Sequence, residues 1–342
     1  MTTLRKTFYN SFFSHIYIEQ EAYDYTVTRR ILDRYPDAEL IPVTHYKDVF
    51  NRSGQNYMEQ KKSPSLILAK NRTSLIYEGA PTCQDFGNSH FYYTSCVMNC
   101  IYDCEYCYLQ GMYPSANLVI FVNLEDTFNE LELLLSQKDI YLCISYDTDL
   151  MALEPLLGFV KSFYDFAASH KGLTIECRTK SAAFTPLKEL APLKNFIFAW
   201  TLSPPFVQEA LEHHTPALAQ RLDAIDNVLS MGFPVRLCFD PLLAVKDWKE
   251  MYSAFFLEVF ERIPPDKIKD ASLGCFRIPK DFMKVMRKQR RDSLVLQYPY
   301  STSSGVLSYD KALAEEILDF CNLELTKWLK EDNIYLWKET VT

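Results

Sequence analysis

From residue 89 onward the chain repeats one pattern. A short, continuous apolar run is followed by a longer stretch in which apolar residues recur every three or four positions. The runs NLVIFVN, IYLCISYD, GLTIECRTK, FIFAWTLS, PVRLCFDPLL and ASLGCFRI read as buried strands. The stretches DTFNELELLLSQ, EPLLGFVKSFYDFAASH and PALAQRLDAIDNVLSMG read as helices, with Gly232 placed to cap the last. Alternation this regular predicts parallel strands joined by crossover helices, as a barrel or an open sheet. In either case the residues closing each strand line the site. Residues 1–88 are less regular, and SLILAKNRTSLIYEG predicts a β-hairpin turning near Lys70–Thr73.

Composition narrows the chemistry. Among 342 residues only 9 are glycine, and no phosphate-cradling or dinucleotide-binding glycine loop is present. The net charge of -8 excludes a generally basic nucleic-acid coat but leaves room for a local basic stripe. The polar start MTTLRKTFYN does not read as a signal peptide, and no apolar run is long enough to span a bilayer. A cytoplasmic protein with no membrane partner is expected, more readily a monomer than an oligomer. In a reducing compartment the 10 cysteines are not a disulfide framework, so some are expected to bind metal.

Four of them, Cys96, Cys100, Cys104 and Cys107, fall in HFYYTSCVMNCIYDCEYCYLQGMYPS. The last three form C-x3-C-x2-C, with Tyr106 directly before Cys107. Three thiolates in one loop suit a [4Fe–4S] cluster, because they hold three irons and leave the fourth open to a small molecule. A zinc-stabilised nucleic-acid-binding module using all four cysteines is the alternative. Zinc sites more often join two separated ligand pairs, and no second pair lies nearby. Cys96-x3-Cys100 is a second possible frame for the loop.

The C-x3-C-x2-C loop with an aromatic before its last cysteine resembles the radical S-adenosylmethionine (SAM) superfamily. Within it, the chain resembles the spore photoproduct lyase family, through CEYCYLQ, IFVNLEDT, TDLMALEP, IECRTKS, GFPVRLCFDPLL, FRIPKDFMKVMRK, SGVLSYDKALAEEIL and the early IYIEQEAYDYTVTRRIL. The resemblance implies a partial (β/α)6-type TIM-like barrel over 89–342 with a C-terminal extension, behind a smaller N-terminal α/β region over 1–88. It implies a [4Fe–4S] cluster on Cys100, Cys104 and Cys107, SAM as cofactor, and an electron donor such as a flavodoxin or ferredoxin. The reaction implied is repair of the thymine dimer 5-thyminyl-5,6-dihydrothymine in damaged DNA. A 5′-deoxyadenosyl radical takes hydrogen from C6 of the lesion, the methylene bridge breaks, and a cysteine returns a hydrogen atom. A relative acting on another substrate is the alternative.

The resemblance also assigns residues. Lys180, closing IECRTK, would meet the methionine carboxylate of SAM. Thr201 and Ser203 would bind the same end or the ribose, and Ser145, Asp147 and Asp149 the ribose hydroxyls. Tyr106 would contact adenine and Tyr108 the substrate. Arg277 would face the lesion, and the basic run Lys284–Arg291 would contact phosphates. The hydrogen donor is left between two residues. Cys143 keeps the family's cysteine-to-serine spacing with Ser145, whereas a gapless match of TDLMALE puts Tyr146 at the cysteine position. On a regular strand the two have opposite parity, so only one would face the site.

Overall fold

The computed structural model describes residues 13–80 and 83–337. The polar start at residues 1–10 lies outside them. The chain begins with β1 (His15–Glu19), β2 (Glu39–Val43), β3 (Leu66–Ala69), β4 (Ile76–Glu78), β5 (Phe91–Thr94), β6 (Val97–Met98), β7 (Asp103–Cys104) and β8 (Leu118–Phe121). It continues with β9 (Ile140–Cys143), β10 (Leu173–Thr179), β11 (Phe196–Thr201), β12 (Glu212–His213), β13 (Val235–Leu242) and β14 (Asp270–Cys275). Last come β15 (Arg277–Pro279), β16 (Ser301–Ser303), β17 (Val306–Ser308) and β18 (Ile334–Leu336).

These strands build a mixed α/β fold with two parallel sheets. The first has the order β2-β1-β3-β8-β6, parallel throughout except for β6 at its edge. The second has the order β18-β14-β13-β11-β10-β9-β5-β4 and is parallel except for β4 at its edge. From β5 to β18 the spatial order of the second sheet follows the chain without reversal. Right-handed crossovers taken always in one direction put the helices on one face. Side-chain alternation agrees: Leu142, Ile175, Phe198 and Leu237 join the large apolar core, while Tyr141, Glu176, Arg236 and Asp270 bond to one another on the opposite face. There the Arg236 guanidinium gives 2.8 Å and 2.7 Å bonds to Asp270 and Glu176, beneath the Phe86 ring at 3.3 Å.

The expected hairpin does not form. Its two apolar runs are β3 and β4, which belong to different sheets. All four residues of LILA are buried because β3 is a central parallel strand between β1 and β8. The polar segment after it crosses between sheets, fixed by buried Glu19, whose carboxylate accepts from Lys70 N (3.2 Å) and Arg72 Nη1 (2.8 Å). NLVIFVN likewise supplies β8 to the first sheet rather than a strand of the second. The stretch EPLLGFVKSFYDFAASH is two helices, Leu150–Leu157 and Phe159–Ser169, parted at Gly158 with φ of 69°. Glu154 of the first accepts from the backbone of Val160 and Lys161, capping the second.

Candidate functional site

The cysteine loop follows β5, at the C-terminal edge of the second sheet. It is held at its middle by β7, which pairs antiparallel with β12 so that Cys104 faces Glu212 across the ladder. Glu105 N adds a 2.8 Å bond to Leu211 O. The turn itself closes with Cys107 N on Cys104 O at 3.1 Å. Behind it, Gln110 donates to Cys104 O (3.2 Å) and Glu105 O (2.7 Å). Arg290 holds Gln110 Oε1 at 2.7 Å and pairs with Asp103 in a largely buried bridge.

Cys100, Cys104 and Cys107 line one cleft, together with Tyr57, Lys61 and Gln110. All three are free thiols. Cys96 is also free but packs into the apolar core and is not part of the cleft wall. Burial raises every one of these thiols, Cys100 to about 11 and Cys96 to about 12, whereas Lys61 counters it at Cys100 and both Lys61 and Lys180 counter it at Cys107. Among the described residues no three His, Cys, Asp or Glu side chains close on a single point, as one bare ion requires. Three thiols spread around a cleft suit the corners of a larger iron–sulfur cluster. The donor set therefore fits that group.

Lys180 and Tyr106 stand on the β12 side of the cleft. The Lys180 ammonium is 5.6 Å from the Tyr106 ring centre. Burial opposes its charge, but Glu212 and the cysteine sulfurs outweigh burial and hold the Lys180 pKa above the ordinary lysine value. Glu212 is the hub: it accepts from Tyr106 Oη, from Ser203 Oγ at 2.7 Å and from Arg221 Nη2 at 2.5 Å. Burial would raise its carboxyl, yet Lys180 and Arg221 keep it below the usual carboxylate range. Arg221 also binds Thr201 O at 3.1 Å. Thus Ser203, Thr201, Tyr106 and Lys180 are brought together, with the Ser203 hydroxyl and the Tyr106 phenol spent on Glu212.

The segment after β9 holds a second group. Asp149 caps the helix Leu150–Leu157 through Ala152 N (3.1 Å), and also accepts from Thr179 Oγ1 (2.8 Å) and Lys180 N (2.6 Å). Asp147 accepts from Ser95 (2.6 Å), Tyr113 (2.9 Å) and Tyr108 (3.2 Å). Ser145 lies 3.6 Å from Cys177 Sγ. Tyr108, next to Cys107, donates to Tyr146 O at 2.8 Å. The Tyr146 ring stacks on Tyr93 at 3.8 Å, and its phenolic oxygen lies 3.3 Å from Cys83 Sγ.

The parity reasoning for Cys143 and Tyr146 does not apply here. β9 ends at Cys143, and residues 144–149 leave strand geometry. Tyr146 meets the Cys83 sulfur directly, and burial pushes both Cys143 and Tyr146 up, with the Cys83 sulfur adding to the rise. Cys83 carried no signal in the sequence. It sits alone in the polar stretch EGAPTCQDFGNS, far from any motif. Glu212 was missed for a similar reason, since LEHHTP shows no periodicity.

Arg277 is paired with Asp240 (3.1 and 3.0 Å) and lies 4.1 Å from the Trp337 ring. In the basic run, Arg287 binds Leu296 O and Tyr298 O, and Arg290 braces the cysteine loop, while Lys284, Lys288 and Arg291 are exposed.

Fold and site together define a mixed α/β protein with a three-thiol cofactor cleft at the C-terminal edge of a parallel sheet. The sequence model described as spore photoproduct lyase matches residues 12–301, and the chain belongs to the spore photoproduct lyase family. It is similar to spore photoproduct lyase of Bacillus subtilis, 21% identical over 284 residues, which covers 80% of this chain and 81% of that one. It is also similar to spore photoproduct lyase of Clostridium acetobutylicum, 20% identical over 352 residues, covering 96% and 98%. A solved spore photoproduct lyase complexed with dinucleoside spore photoproduct superposes with a TM-score of 0.81 at 17% identity, covering 95% of this chain and 98% of that chain. A mutant with bound AdoMet and dinucleoside spore photoproduct superposes with a TM-score of 0.81 at 18% identity, covering 96% and 100%.

Proposed function

We propose that the chain is a radical SAM lyase that repairs the spore photoproduct, the 5-thyminyl-5,6-dihydrothymine dimer, in DNA. The observation that carries this reading is the convergence of Cys100, Cys104 and Cys107 on one cleft, with Lys180 beside it. We read the second sheet as a partial barrel, which its unreversed strand order supports. When bound at the three thiolates, a [4Fe–4S] cluster supplies the electron that cleaves SAM to a 5′-deoxyadenosyl radical.

The protein's own residues then bind, orient and return hydrogen. Lys180 offers a partly buried positive charge to the SAM carboxylate, a charge-assisted contact. Glu212, already satisfied by Arg221, Tyr106 and Ser203, fixes the wall on which Lys180 sits. Tyr108 is held by Tyr146 O and Asp147, so its ring is set between the thiol cleft and the second group. We assign hydrogen return to Cys83, with Tyr146 as its partner. Cys83 gives a hydrogen atom to the product thymine radical and regains one from the Tyr146 phenol. The phenoxyl regains its hydrogen from 5′-deoxyadenosine, which carries the atom first taken from the substrate and becomes the 5′-deoxyadenosyl radical again, so hydrogen atoms and the unpaired electron both balance. The 3.3 Å contact supports this pairing.

No helix among the described residues is long and apolar enough to cross a membrane. Free thiols throughout suit a reducing cytoplasm, where a flavodoxin- or ferredoxin-type carrier is the reductant to expect. Anaerobic incubation with SAM, reductant and a lesion-bearing oligonucleotide tests the proposal. Restored thymine supports it, and SAM cleavage without any change in the lesion points to a relative with another substrate.

A further inference from the structure

We propose that Lys61 sets the reduction potential of the cluster held by Cys100, Cys104 and Cys107; this rests on the cluster reading above. Lys61 belongs to the helix Tyr57–Lys62, in a part of the chain remote from the cysteine motif. Tyr57 and Lys61 are four residues apart, hence on one helix face, and both line the thiol cleft. The Lys61 ammonium donates to Cys100 O at 2.5 Å. It thus anchors the backbone of one ligand while bringing a positive charge to the sulfurs.

Two positive charges stand uncompensated beside the thiols, and Lys61 is the one bonded to a ligand's backbone. Asp103 is neutralised by Arg290 in a pair whose side chains are 13% and 8% exposed. Glu212 is held by Arg221, both essentially buried. Lys180, Arg221 and Glu212 form one group on the β12 side of the cleft, two cations on one carboxylate. Among the described residues no carboxylate forms an ion pair with Lys61, and the buried Asp149 is the carboxylate that opposes it at Cys100. Adding one electron makes the cluster one unit more negative. A cation fixed beside it in a partly desolvated cleft stabilises the reduced state more than the oxidised one. Lys61 therefore eases the reduction on which turnover depends.

The test compares cluster midpoint potentials, by anaerobic redox titration followed by electron paramagnetic resonance, in the reconstituted parent and three variants. Lys61→Gln keeps a donor for Cys100 O and removes the charge, Lys61→Arg keeps the charge, and Lys62→Gln removes an exposed neighbouring charge. Lys61→Gln should lower the equilibrium constant for reduction about tenfold, a shift of about 59 mV to more negative potential. Lys61→Arg and Lys62→Gln should stay near the parent. A Lys61→Gln protein that loads iron and keeps the parent potential overturns the proposal. If Lys61→Gln loses iron while Lys61→Arg retains it, the charge serves assembly of the cluster and the proposal that it sets the potential falls. If both lose it, only the shape of lysine matters and the proposal falls. Absence of a cluster in the parent would instead sink the reading on which the proposal rests.

Discussion

The phenolic oxygen of Tyr146 lies 3.3 Å from the sulfur of Cys83, two residues separated by 63 positions in sequence. Cys83→Ala should still cleave SAM but yield at least about tenfold less repaired thymine, equivalent to about 1.4 kcal/mol in the barrier. Tyr146→Phe should show the same split between intact SAM cleavage and impaired repair. Cys143→Ala should be mild. The readout is product analysis by mass spectrometry, and a Cys143→Ala defect with a normal Cys83→Ala enzyme would reverse the assignment.

Replacing any one of Cys100, Cys104 or Cys107 by Ala should abolish cluster incorporation, since each iron corner has one thiolate. Cys96→Ala should keep it, because Cys96 lies in the apolar core outside the cleft. Iron content and the broad absorbance near 400 nm check this. Loss of the cluster in Cys96→Ala with its retention in Cys100→Ala would show that the frame is shifted.

Lys180→Ala should weaken SAM binding while leaving iron content unchanged. A lost charge-assisted hydrogen bond corresponds to roughly 1.5–3 kcal/mol, or about ten- to a hundredfold in affinity. Equilibrium binding to the reconstituted protein measures it, and an unchanged dissociation constant would remove Lys180 from the cofactor site.

Glu212→Gln should destabilise the fold by about 3–5 kcal/mol, because Arg221 is left charged and buried without its partner. Denaturant unfolding of the cluster-free protein reads this directly. A loss below about 1 kcal/mol would mean that Arg221 finds another partner or water.

Glu154 gives a pH signature. Burial raises its carboxyl from 4.5 to about 7. The folded state then holds the proton more tightly than the unfolded one. The stability this confers is fully present below about 4.5 and is lost as pH rises through about 7. Relative to Glu154→Gln, the parent should lose stability across that window in urea unfolding. Parallel pH profiles would show that Glu154 titrates normally.

The strand–helix alternation of the second sheet was readable because fully buried parallel strands are continuous apolar runs. The same property misled at LILA and LVIF: burial on both faces says nothing about which sheet a strand joins, so a crossing between sheets looked like a hairpin. The cysteine loop was legible because its spacing is local. Cys83, Glu212 and Lys61 were not, because each reaches the site through tertiary contacts that leave no periodic or motif trace. Asp147 and Asp149 were expected at the ribose hydroxyls, and what the sequence did not reveal is that their carboxylates are engaged by Ser95, Tyr113, Tyr108, Thr179 and backbone amides.

The central claim is that this chain uses a radical generated from SAM to reverse the spore photoproduct. The most direct measurement is anaerobic turnover of the reconstituted protein with SAM, reductant and an oligonucleotide carrying one spore photoproduct, followed by mass spectrometry. The account predicts loss of the lesion with the appearance of two thymines, together with 5′-deoxyadenosyl chemistry that depends on Cys100, Cys104 and Cys107. A protein that carries its cluster and cleaves SAM yet leaves the lesion intact under every reductant would contradict it.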